Sequence, residues 1–124
     1  MTFLERTAGG AFYQLLTATG RGAIAVVRVW GPRAIEVADL VFRPTGPTRL
    51  SQSPEGRLRL GRIGEGLGDE VVAAKLEAEA PIVEIQCHGG TAAVALVLEA
   101  LQTAGARPAE LGSPAGLEIG RAHV

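Results

Sequence analysis

Residues 82–105 read IVEIQCHGGTAAVALVLEALQTAG, and the change of period inside this stretch decides the fold. Ile82 to Cys87 alternates in the manner of a β-strand, with Ile82, Ile85 and Cys87 as core contacts. His88-Gly89-Gly90 then turns the chain into Thr91 to Ala104, which is apolar around its whole circumference and reads as a helix buried on more than one face. Gly105 follows, a residue suited to the left-handed geometry that closes helices. A strand that runs straight into a packed helix belongs to a sheet with a helical layer against it.

Working outward, Ala11 to Leu16 and Ala23 to Val29 (AIAVVRV) read as two buried strands joined by the glycine loop Thr-Ala-Thr-Gly-Arg-Gly. Gly31-Pro32 stops the second strand and opens an amphipathic helix whose apolar stripe is Ala34, Ile35, Ala38, Val41 and Phe42. Pro44 to Gly56 carries three prolines and reads as a surface loop. Arg57 to Ile63 (RLRLGRI) alternates like a half-exposed strand near an edge. Asp69 to Ala78 fits a strand or a short helix, with strand preferred. Ala106 to Leu111 returns as a last strand. The order β-β-α-β-β-β-α-β describes an α+β domain: a mixed sheet with two to three helices on one face. The domain is expected over residues 1–111, with a glycine-rich tail over 112–124.

A chain of 124 residues accommodates one domain. The uncharged run from Ile85 to Leu98 contains His88 and falls short of the ~18–20 apolar residues of a membrane span. The first ten residues lack the apolar core of a signal peptide, so the cytoplasm is the expected location. One cysteine, Cys87, excludes an internal disulfide and a multi-cysteine metal cluster. Net charge is −1, with the bases concentrated in residues 1–62 and the acids in residues 63–124. The basic half has no aromatic interleaving and no run of adjacent bases, which favours solvated faces over a phosphate-tracking surface.

Two short segments carry candidate chemistry. In Gly20-Arg21-Gly22 the glycines admit close approach of a ligand, and Arg21 offers a planar fork to a carboxylate or phosphate; an ordinary turn is the bland alternative. In His88-Gly89-Gly90-Thr91 the free amides at a helix start favour an anion, against a purely structural histidine. Cys87 reads as a small core residue rather than a nucleophile. Lys75 is the only lysine and stands in Ala-Ala-Lys-Leu, so the glycine-rich loop ending in Gly-Lys-Ser/Thr that holds nucleotide phosphates is missing from this sequence. His88 and His123 have no second ligand at metal-site spacing.

GRGAIAVVRVWGPRAIEVADLVF, from Gly20, resembles the opening motif of the N-terminal domain of the tRNA modification GTPase MnmE (TrmE), and VEIQCHGGTAAVALVLEALQTAGARPAE, from Val83, resembles its later block. Both occur in the family's order and together cover about half of the chain. The resemblance implies a fold similar to folate-binding aminomethyltransferase domains and a homodimer formed through this domain. It also implies a tetrahydrofolate derivative, 5-formyl- or methylene-tetrahydrofolate, near the dimer interface. In the family the one-carbon unit serves modification of the wobble uridine of certain tRNAs, together with an FAD-containing partner, MnmG. By motif match the ligand-binding positions are Gly20, Arg21, Gly22, Arg28, Glu84, Gln86, His88, Gly89, Gly90 and Glu110, with Arg21 the first choice for the folate's anionic portion; no catalytic residue or metal ligand is carried over.

The sequence departs from the family's pattern in three places. Ala78-Glu79-Ala80-Pro81-Ile82 stands where the family has Thr-Gly-Glu-Asp, Leu111 to Ala115 replaces its Pro-Gly-Glu-Phe-Thr, and Trp30 replaces the usual serine before Gly31. Three functions follow: a folate-binding and dimerisation module without catalysis of its own, a stand-alone folate-dependent one-carbon transferase, or an interaction domain with no ligand.

Overall fold

The computed structural model describes residues 10–17, 23–76 and 79–109. Its elements are β1 (Phe12–Leu15), β2 (Ile24–Trp30), α1 (Ala34–Val41), β3 (Arg43–Pro44), a 3₁₀ turn (Leu50–Gln52), β4 (Arg59–Ile63), β5 (Asp69–Leu76), β6 (Ile82–His88), α2 (Thr91–Thr103) and β7 (Arg107–Pro108). The seven strands form one sheet in the order β3-β4-β5-β6-β2-β1-β7. Every pairing is antiparallel except β1 with β7, which makes the sheet mixed and the fold α+β. Among the described residues no helix is long and apolar enough to cross a membrane.

Alternation along the strands separates two faces. Ala25, Val27 and Val29 of β2 lie in register with Cys87, Ile85 and Val83 of β6, and all six are buried. Val71 and Ala73 of β5 and Ile63 of β4 extend this layer. Against it pack Ala34, Val37 and Ala38 of α1 and Val94, Val97 and Leu101 of α2, so both helices cover the same side of the sheet. The stripe read for α1 omits Val37, which is buried, while its neighbour Leu40 is left 66% exposed.

Helix α2 departs from the sequence expectation. It buries a single stripe, and Ala92, Ala95, Glu99 and Gln102 face solvent. Alanines supply apolar composition on every side without making every side a packing surface. The helix closes as expected: Gly105 takes φ +109°, its N–H donates to the Gln102 carbonyl, and the Ala106 N–H donates to that of Leu101, the paired bonds of a Schellman motif.

Residues 44–56 are more than a surface loop. Leu50 is 1% exposed, and the turn around it is pinned by Lys75, whose Nζ donates to the Ser51 carbonyl at 2.8 Å, and by Asp39, whose Oδ1 accepts from the Ser51 N–H at 3.1 Å. Strand β4 turns Gly61 and Ile63 inward and leaves Leu60 47% exposed; Leu58, just before it, is 63% exposed. Gly61 is required there, because a Cβ would collide with the Arg43 carbonyl oxygen and stand 2.5 Å from the Phe42 ring.

Candidate functional site

The face of the sheet opposite the helices collects the sequence-predicted residues that the structure describes. In the register of β2 with β6, Arg28 stands opposite Glu84, Val26 opposite Gln86 and Ile24 opposite His88. These residues alternate with the buried core row, so Arg28, Glu84, Gln86 and His88 share one face. Along β6 the three polar side chains follow at every second position, a ladder about 13–14 Å long from Glu84 to His88.

Arg28 departs from the open-face pattern, as do Trp30, Ala74 and Ile82 around Glu84, all of them buried. Arg28 is 3% exposed, and its Nε donates to Glu84 Oε2 at 2.9 Å while Nη2 donates to the same oxygen. Glu84 is the more accessible partner, its side chain 21% exposed. The motif match makes Arg28 a ligand-binding position; in the structure it is a buried side chain paired with Glu84. Gln14 of β1 lies opposite Arg28 on the outer side, and Ala74 of β5 lies opposite Glu84. Trp30 stands opposite Ile82 and Phe12; it is 4% exposed, its ring centroid is 6.1 Å from that of Phe12, and its buried Nε1 has no hydrogen-bond partner among the described residues.

At the other end of the ladder, the Gly89 N–H donates to the Ala23 carbonyl at 2.7 Å, so the chain leaving β6 is tied to the chain entering β2. Gly90 is the N-cap of α2 and accepts from the Val94 N–H at 3.0 Å. A Cβ on Gly90 would meet nothing within 4 Å, so space is open above the start of the helix among the described residues. Gly20, Arg21, Gly22 and Glu110 lie outside the described residues. Ile24, Glu70, Val72, Gln86 and His88, with Val71 and Cys87, line a cleft of about 130 Å³. Burial, and then the nearby Asp69 carboxylate, push the Cys87 thiol above its ordinary range, which keeps it protonated and unreactive near neutral pH.

A feature that the sequence reading misses surrounds these polar groups. Among the described residues, four of the six large exposed hydrophobics, Leu16, Ile24, Leu58 and Leu60, fall on or beside this face. Val26, Gln86, Val72 and Leu60 form one register row across four strands. The available signal is parity: in a strand whose odd positions are Gly61 and Ile63, the leucines at even positions must point the other way. A larger groove of about 720 Å³ runs between α1, α2 and the turn after β4, and it holds none of the predicted site residues.

Comparison with known proteins identifies the family to which the sequence belongs. The profile of the family described as GTP-binding protein TrmE N-terminus matches residues 11–113. The chain belongs to this TrmE N-terminal family. It is 40% identical over 92 residues to the tRNA modification GTPase MnmE of Exiguobacterium sibiricum, covering 67% of this chain and 20% of that protein. The proteins of the same name from Geobacillus kaustophilus and Staphylococcus aureus are 38% identical over 105 residues, covering 77% of this chain and 23% and 22% of their own lengths. The chain thus spans about a fifth of the length of these curated relatives. The TrmE N-terminal motif VEIQCHGG corresponds to β6 and the turn that begins α2.

Proposed function

We propose that this chain is the ligand-binding and self-associating module of a tRNA modification GTPase, holding a tetrahydrofolate derivative against the open face of its sheet. The observation that carries this reading is the coincidence, on that one face, of the Glu84-Gln86-His88 ladder with the exposed Leu16, Ile24, Leu58 and Leu60. A polar line set in an apolar field suits a flat heteroaromatic ligand with hydrogen-bonding edges, and it suits a protein partner that covers the remainder.

Size favours a second copy as that partner. Ligand pockets generally enclose roughly 300–1,000 Å³, whereas the cleft beside His88 measures about 130 Å³. One protomer therefore supplies a floor and not an enclosure, and a two-fold partner laid on the same face closes it. The module contributes no nucleotide-phosphate loop of its own. In this reading it holds the one-carbon donor used in wobble-uridine modification, with GTP hydrolysis and the FAD-containing partner belonging to other parts of the system in the cytoplasm. A stand-alone transferase is the weaker reading, because Glu84, the carboxylate that the motif match puts among the ligand-binding positions and that the structure describes, is already engaged by Arg28.

Calorimetric titration with 5-formyl-tetrahydrofolate, run beside sedimentation at micromolar to high micromolar protein, tests the proposal. Saturable heat together with a dimer is expected. A monomer at every concentration with no heat at millimolar ligand would overturn it and favour the ligand-free interaction domain.

A further inference from the structure

We infer that Arg28 is a positioning residue, which acts on the bound ligand only through Glu84. This rests on the folate reading and assigns roles within its site. Arg28 is only 3% exposed, so it presents almost no surface to a ligand on the open face. Both of its bonds to the carboxylate, from Nε and Nη2, end on Oε2. Glu84 Oε1 receives neither, and Glu84 is the partner that reaches solvent.

The local sequence serves this division. Arg28 and Glu84 are directly cross-strand, so β-sheet register alone brings them together without long-range adjustment of either side chain. Opposite Glu84 on its other flank is Ala74, which has no side chain long enough to compete for the carboxylate. Two N–H groups of one rigid guanidinium converge on Oε2 and anchor that oxygen, a fixed pair of donors that the freely rotating ammonium of a lysine does not supply. Oε1 is thereby held as an acceptor for an N–H edge of a flat ligand, the kind of edge an amino-pyrimidinone ring presents. Gln86 and His88 continue the line toward the remainder of the molecule.

The test is a double-mutant cycle on the affinity for 5-formyl-tetrahydrofolate, using Arg28→Lys, Glu84→Gln and the double variant, with melting temperature measured on each. Arg28→Lys retains the buried cation and loses the fork; Arg28→Gln, a neutral donor, is the second variant if the lysine form does not fold. A purely structural arginine would weaken binding by the same factor whatever stands at position 84. The inference requires coupling: Arg28→Lys weakens binding about tenfold with Glu84 present and less than about twofold in the Glu84→Gln background. An undiminished loss in the Glu84→Gln background, or no loss with Glu84 present, would overturn the positioning role while leaving folate binding standing. A wild-type chain that binds no folate would overturn the inference together with the reading beneath it.

Discussion

At the scale of single residues, Cys87 and Gly61 have consequences that simple measurements reach. The folded thiol of Cys87 titrates above the ordinary value of about 9.0, chiefly because it is buried. Below that value both folded and unfolded chains keep the proton, and the residue's contribution to stability is fully present. As pH rises further the unfolded thiol ionises first, and that contribution is lost until the folded pKa has been passed. As pH rises above about 9.0, urea midpoints should therefore fall more steeply for the wild type than for Cys87→Ala, and parallel slopes would contradict the assignment. Gly61→Ala places a methyl group against backbone and the Phe42 ring, where the Arg43 carbonyl cannot yield. A loss of about 2–3 kcal/mol in chemical denaturation is expected, typical of overpacking in a closed site. The burial of Cys87 is legible in the alternation of Ile82 to Cys87, whereas Gly61 reads as one more small residue in RLRLGRI, and only the approach of Phe42 and of Arg43 in β3 makes it obligatory.

At the scale of elements, periodicity locates strands and helices well, and fails where composition hides direction. The preference for a strand over residues 69–78 is met by β5, because Val71 and Ala73 point inward while Glu70 and Val72 point outward. Helix α2 reads as buried on several sides because alanine counts as apolar at every position; the structure gives it one buried stripe. Leu101→Ala should consequently cost about 2–5 kcal/mol, while Ala95→Lys on the exposed side should change stability by no more than about 0.5 kcal/mol. A large loss for Ala95→Lys would show that this side is packed. With one side of α2 buried in the core and the other carrying Ala92, Ala95, Glu99 and Gln102, the proposed self-association surface is the sheet. If the chain self-associates through this face as proposed, Leu58→Lys combined with Leu60→Lys should leave it a monomer in sedimentation with little change in melting temperature, because both side chains are already exposed. Retention of the dimer would place the interface elsewhere.

For the molecule as a whole, the two motifs matched in the sequence lie on strands that are neighbours in the sheet, β2 and β6, although Arg28 and Glu84 are far apart in the chain. The motif match names both residues, but it does not show that Arg28 is buried while Glu84 keeps an exposed edge, since that difference arises only in the folded chain. Leu16, Ile24, Leu58 and Leu60 escape notice for a related reason: each belongs to a different local pattern, and only the assembled sheet brings them to one face. In the proposed function this open face, and not the larger groove between the helices, receives the ligand and the second copy. Amide chemical-shift mapping of the ¹⁵N-labelled chain during titration with 5-formyl-tetrahydrofolate tests it most directly. Saturable shifts concentrated at Ile24, Glu84, Gln86 and His88, with Leu40, Leu96 and Thr103 in the groove unmoved, are predicted. Shifts centred on the groove, or none at all, would contradict it.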